Sequence, residues 1–208
     1  MKRPLVIIGG GGHCKSVIEA AESVGCQIAG ILASQEEVGK TVLGYEIVGT
    51  DDMIPEYADK ADFIIAIGFI KDPSVRTKTA QKVKDAGGKL ATIIASTAHV
   101  SRHAEIGSGT VVLHHASVNA GAHIGNNCII NTAANIEHDV AVGNGSHIST
   151  GAMVNGDCRI GANVFVGSGA VVANGITVTD GTIVGAGAIV VNDITERGTY
   201  IGNPAKSK

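Results

Sequence analysis

The feature that most constrains this chain is a period of six. Read in steps of six from Ile94 to Val190, all 17 positions are Ile or Val. Four residues later in each hexad a second column runs from Ala98 to Ile194, mostly Ala, Ser, Thr or Cys. An amphipathic helix repeats its apolar residues about every 3 to 4, and a hairpin sheet interrupts its alternation with turns of changing length, so neither accommodates a strict period of six. A hexapeptide solenoid does. Each short strand then turns one β-branched residue to the axis, a small residue leaves room near the corner, and stacked coils continue the core. Glycine and asparagine at the turns, as in Ile106-Gly107-Ser108-Gly109 and Val142-Gly143-Asn144-Gly145, allow positive φ there.

Composition agrees with a narrow axis. The chain has 29 glycines against three Phe, three Tyr and no Trp, whereas a globular core draws much of its buried area from rings. Between residues 94 and 195 there is no proline, and Phe165 is the one aromatic residue. Charged residues make up 17% and the formal net charge is -3, which leaves no broad basic surface for nucleic acid or anionic membranes and favours small-molecule partners. No apolar run approaches the roughly 20 residues that span a bilayer. Leu5 to Ile8 is too short for a signal h-region and runs into four glycines, so it reads as a first strand. Cys14, Cys26, Cys128 and Cys158 show no CxxC spacing, which points to reduced thiols and a cytoplasmic protein rather than a disulfide framework or a zinc knuckle.

The first half reads as a small α/β domain. Leu5 to Ile8 is followed by a glycine turn and by helical spacing from Lys15 to Val24. Further strands are expected at Ile28 to Leu32, Phe63 to Ile67 and Leu90 to Ile94, with helices near Asp52 and from Ser74 to Ala86; this alternation implies a parallel, Rossmann-like sheet. Glycines at the first joint let backbone N–H groups approach an anion at a helix N-terminus, as a pyrophosphate or a nucleotide sugar would require. The same glycines also make a tight turn. The joint is not a dinucleotide fingerprint, because Cys14 stands where the third glycine of GxGxxG belongs, and Ala33-Ser34, not an acid, ends the second strand. The expected architecture is a Rossmann-like sugar- or nucleotide-binding domain over residues 1–93, then a left-handed parallel β-helix with a C-terminal cap over 94–208.

Gly9-Gly10-Gly11-Gly12-His13 before a helix, the hexads, Asn131 to Gly156 reading NTAANIEHDVAVGNGSHISTGAMVNG, and Ile201-Gly202-Asn203-Pro204-Ala205 at the end together resemble the PglD/NeuD-type sugar acetyltransferases, a family of hexapeptide-repeat acyltransferases. The resemblance covers almost the whole chain and implies acetyl-CoA as co-substrate, a homotrimer, and an acceptor that is a nucleotide-linked amino sugar of bacterial surface-glycan synthesis. Two departures bear on the acceptor. Ala33 and Ser34 replace paired aspartates that hold the nucleotide base, and Pro73-Ser74-Val75-Arg76 is similar to the sialic acid O-acetyltransferases, which keeps a sialic acid hydroxyl as an alternative acceptor. A non-catalytic nucleotide-sugar-binding protein is the alternative of another class.

Acetyl transfer from a thioester needs a base for the attacking amine or hydroxyl and donors for the oxyanion. From the repeat alone His138 is a solvated corner histidine. The resemblance makes it the general base, with Asp139 as its orienting carboxylate, while an 18-residue coil stacks it between Ala120 and Gly156 and so leaves space for substrate. By the same resemblance His147 contacts acetyl-CoA, or packs at an interface; Gly156, Ser168 and Ala186 line its pantetheine arm through their backbones; and Gly10, Gly11, Gly12, His13 and Gly68 bind the acceptor. No three of the eight histidines share a coil column, so no metal site is expected.

Overall fold

The computed structural model describes residues 3–208 and consists of an α/β sheet domain followed by a three-sided β-helix. In the first domain β1 (Leu5–Ile8), α1 (Gly12–Ser23), β2 (Ile28–Leu32), β3 (Thr41–Val42), β4 (Tyr45–Gly49), α2 (Ile54–Tyr57), β5 (Asp62–Ile65), α3 (Ser74–Asp85) and β6 (Lys89–Leu90) follow in that order. The sheet runs β3-β4-β2-β1-β5-β6, parallel except for the β3–β4 pair. Helices on both faces bury β1 completely, which is why Leu5-Val6-Ile7-Ile8 is apolar at every position instead of alternating. The Thr41–Val42 and Tyr45–Gly49 strands are additional to the expected elements; Gly44, at φ 87°, makes the turn between them.

The expected strand from Leu90 to Ile94 is two strands in two different sheets. Lys89–Leu90 pairs with β5, and β7 (Ile93–Ile94) is the first rung of the solenoid, paired with Val111–Val112. The chain leaves one sheet at Ala91, whose N–H still bonds the Phe63 carbonyl, and Thr92 already donates its hydroxyl to Gly107 in the coil above. Two backbone ladders thus compete for adjacent residues, and an apolar run cannot show where the change occurs.

From β7 onward, two-residue strands follow every six residues, and each pairs in parallel with the strand 18 residues later, as Ile129 does with His147. The three ladders form the faces of a left-handed β-helix. The first face runs from Ile93–Ile94 to Ile183–Val184, the second from His99–Val100 to Ile189–Val190, and the third from Glu105–Ile106 to Thr177–Val178. The Ile/Val column and the small-residue column are the inward positions, and from Val112 to Ile194 they form one continuous core. Two of the small polar side chains there bond the backbone, Ser146 donating to the Gly161 carbonyl and Thr110 to that of Gly125, both at 2.8 Å, whereas the buried Thr182 hydroxyl has no partner among the described residues. The end is capped by Thr199–Ile201, which pairs with Ile183–Val184 and, antiparallel, with Lys206–Ser207.

The outward residues of the first face bind the two domains together. Ile93, Val111 and Ile129 join Leu5, Ile7, Val17 and Ile18 in one buried cluster. The sheet domain therefore rests on one side of the prism, opposite the corner between the second and third faces.

Candidate active site

Over the C-terminal ends of the parallel strands lies a cavity of about 610 Å³, bounded by Gly9 to His13, by Ala33, Ser34 and Glu37, and by Ile67 and Gly68. Gly9 has φ 114°, and a Cβ on it would stand 2.7 Å from Ile67 Cγ1, so only glycine lets the chain turn there. The next helix begins at Gly12 with Gly11 as its N-cap, without a side-chain cap and with no acid in the first turn. Its first N–H groups therefore remain free to meet an anion. Gly10, Gly11, Gly12, His13 and Gly68 all line this one cavity, and among the described residues no Lys or Arg does.

His13 stands where the cavity meets the solenoid. Burial, the Arg76 charge and neighbouring His147 hold its pKa down to about 3, so the ring is neutral, and its Nε2 is buried without a partner in the chain. His147 lies behind it, ring centroids 6.4 Å apart, between Phe69 and Phe165. The Nδ1–H of His147 donates to the Phe69 carbonyl at 3.1 Å, which leaves Nε2 to accept from Asn131 Nδ2 at 3.0 Å. Both ring nitrogens are thus used inside the chain, and burial, opposed by the Phe69 bond and reinforced by Arg76, lowers the pKa to about 4.

Arg76, 1% exposed, ties the domains together from the other side. Nη1 donates to the carbonyls of Ile65 and Ile67, each at 2.8 Å, and Nη2 to the carbonyl and Oδ1 of Asn127 at 3.0 and 2.6 Å. It pairs with no carboxylate, and burial lowers its pKa to about 10, so it is still a cation at neutral pH. The Pro73-Ser74-Val75-Arg76 segment therefore spends its arginine on the interdomain joint and not on an acceptor.

His138 occupies the corner between the second and third faces. Asp139, the next residue, adopts φ 61°, a left-handed conformation that Asp tolerates. Its Oδ2 accepts from His138 Nδ1–H at 2.9 Å, so Nε2 is the bare nitrogen. The hydrogen bond to Asp139 is the main cause that raises the His138 pKa; desolvation opposes it, and the charges of Asp139, Glu137 and Asp157 add to the rise. Glu137 is itself held ionised, below its ordinary range, by bonds from Asn135 and Asn119. Gly156, one coil on, lies directly over the imidazole: a Cβ there would stand 2.6 Å from both Cε1 and Nε2. The corner thus presents an oriented, accessible imidazole in an acidic field, the arrangement a general base for an amine requires.

Comparison with known proteins gives this geometry a context. A family model described as the PglD N-terminal domain matches residues 4–83. The acetyltransferase domain of PglB from Neisseria gonorrhoeae FA1090, solved in complex with acetyl coenzyme A, is 34% identical over 100% of both chains with a TM-score of 0.92. The chain belongs to the PglD/NeuD-type sugar acetyltransferases. A mutant of perosamine N-acetyltransferase from Caulobacter crescentus, in complex with CoA and GDP-perosamine, is 36% identical, with 99% of this chain and 96% of that one covered and a TM-score of 0.93. WeeI from Acinetobacter baumannii AYE, at 23% identity and a TM-score of 0.88 over 99% of both chains, shares the fold. Curated protein sequences gave no match. As a member of this family the chain is an acetyl-CoA-dependent acetyltransferase, which sets aside the non-catalytic binding protein. Among the described residues no three His, Cys, Asp or Glu side chains gather to hold a metal ion, and no helix is long and apolar enough to cross a membrane.

The expected site residues do not all meet within one chain. Gly156 lies beside His138, but Ser168 and Ala186 stack one coil apart at the corner between the first and second faces, where the Ser168 hydroxyl bonds that of Ser149 at 3.0 Å. The glycine cavity, His13 and His147 lie on the side of the first face, across the prism from His138. The sequence reading missed Glu37 in the cavity and Arg76 at the joint. The signal for Glu37 was present, since Ser34-x-x-Glu37 is a capping-box spacing.

Proposed function

We propose that this acetyltransferase N-acetylates an amino sugar carried on a nucleoside diphosphate, with His138 as general base and Asp139 as its orienter, in the making of a bacterial surface glycan. The observation that carries the chemistry is the His138–Asp139 pair: a fixed tautomer with Nε2 free of hydrogen bonds, on a ring that only a glycine at 156 allows to sit where it does. The amine attacks the thioester carbonyl, Nε2 takes the proton, and backbone N–H groups of the corner turns receive the oxyanion. The C–S bond then breaks, and the imidazolium returns the proton to the departing thiolate. Asp139, Glu137 and Asp157 stabilise the imidazolium between those steps.

The glycine cavity suits the acceptor. A diphosphate can sit against the free N–H groups of α1, while Gly68 and His13 bound the sugar. A nucleotide-linked acceptor is supported by the GDP-perosamine complex of the Caulobacter relative. The cavity and His138 lie on opposite sides of one prism, so the reading requires His138 of a second copy at each cavity, which the trimer expected of the family supplies. Acetyl-CoA then lies along the second face, where Met153, Val171 and Ile189 point outward between the Gly156 corner and the corner of Ser168 and Ala186. His147, with both nitrogens engaged, serves to hold Phe69 and His13 in place beside the cofactor path.

The test is thiol release from acetyl-CoA, with product mass, over a panel of nucleotide amino sugars and sialic acids. Turnover confined to nucleotide amino sugars supports the reading, and turnover confined to sialic acids replaces it with O-acetylation.

A further inference from the structure

The nucleoside end of the cavity carries a carboxylate that the end of the second strand conceals. After β2, Ser34 opens a 3-10 turn over Gln35–Glu37, and the Glu37 side chain folds back on it. Glu37 Oε2 accepts from the Ser34 N–H at 3.3 Å and from the Ser34 hydroxyl at 2.7 Å. Both bonds fall on one oxygen, so the carboxylate is fixed while Oε1 stays free. That oxygen faces the glycine loop: a Cβ on Gly10 would stand 3.3 Å from it. The Ser34 bonds, with help from Lys40, hold the group ionised.

An ionised oxygen this close to a diphosphate loop repels phosphate, so the part of the ligand that it faces must donate hydrogen bonds. Sheet order decides which part that is. Phosphates lie over the β1–α1 joint and the sugar points toward β5, where Gly68 and His13 stand, so the nucleoside runs the other way, over β2 and β4. The first donor met in that direction is the ribose, whose vicinal hydroxyls suit a carboxylate beyond the second strand of a parallel sheet. Asp51, at the end of β4, is already engaged by Lys82 at 2.7 Å.

We propose that Glu37 reads the sugar of the nucleotide, its Oε1 accepting from the ribose 2′- and 3′-hydroxyls, so that the enzyme selects ribonucleoside over 2′-deoxyribonucleoside diphosphates. This rests on the cavity being the nucleotide site. Calorimetric titration of the full chain with GDP, UDP and their 2′-deoxy counterparts, without acetyl-CoA, tests it on the wild type, Glu37→Gln and Glu37→Ala. The wild type should prefer each ribonucleotide by about tenfold, the scale of one hydrogen bond to a charged acceptor, and both variants should lose that preference. Loss of the capping bonds alone would weaken all four ligands equally and leave the ratio intact. A ratio near one in the wild type, or one kept in both variants, overturns the assignment while the nucleotide site stands. So does a change only in GDP-against-UDP preference, which would place Glu37 on the base. No binding of any nucleotide overturns the cavity reading as well.

Discussion

Adding one methyl group at Gly156 should stop the chemistry while leaving the fold in place. The new Cβ of Gly156→Ala would stand 2.6 Å from Cε1 and Nε2 of His138, whereas carbon contacts settle near 3.5 to 4.0 Å, so the imidazole must retreat by about 1 Å. It can do so at little cost, because His138 is exposed at its corner and Gly156 is not in the left-handed region. The expected change in stability is within about 0.5 kcal/mol, or roughly 1–2 °C in Tm. A displacement of about 1 Å at a catalytic group costs on the order of 10²-fold in rate, equivalent to about 2.7 kcal/mol. Thiol release at saturating acetyl-CoA and acceptor, beside a thermal melt, separates the two effects. A variant with kcat within about threefold of wild type would refute the placement of Nε2 under Gly156. A fall of more than about 10 °C in Tm would show instead that Gly156 serves the coil.

Asp139→Asn removes the hydrogen bond and the charge that raise the His138 pKa. On the proposed mechanism His138 acts as base when neutral, so the acid limb of the kcat–pH profile should move to lower pH, with kcat reduced by about tenfold or more; an unmoved limb would mean that another group titrates. His13 and His147 resist protonation in the fold down to about pH 3 and 4, whereas the unfolded chain takes up those protons near 6.5. Proton binding by the unfolded state alone lowers stability as pH falls from about 6.5 toward 4, by about 2 kcal/mol per histidine at pH 5. Denaturant titrations at pH 7 and pH 5 measure this, and His147→Asn should remove about half of the difference.

The solenoid was legible because its physics is periodic. One β-branched residue per strand recurs without exception, and a small residue stands at 13 of the 17 positions of the second column, so the register from Ile94 to Val190 is readable from the sequence. The contact of His138 with Asp139 was readable from their adjacency, whereas the role of base proposed for His138 came only from family resemblance, since an outward corner histidine has no periodic signature. Contacts made across the domains were not legible. In the sequence Arg76 stands only as the end of the Pro73-Ser74-Val75-Arg76 segment, and nothing there points to Asn127, 51 positions away, which accepts from it; for His147 a packed alternative is readable, but not Phe69 as the partner that closes over it. Glu37 was hidden differently: the strand ends at Leu32, but a capping turn returns the acid to that end five residues later. The change of sheet between Leu90 and Ile93 escaped because two parallel ladders ask for the same apolar residues.

The most direct test of the account is a single-turnover measurement with His138→Asn, joined to calorimetric titration of CoA and of the nucleotide amino sugar. Asn preserves the corner and cannot act as a base at neutral pH. The account predicts that both ligands bind as they do to the wild type while acetyl transfer falls by about 10² to 10⁴-fold, the usual contribution of a positioned general base. Transfer at the wild-type rate, with both ligands bound, would contradict it and remove His138 from the reaction.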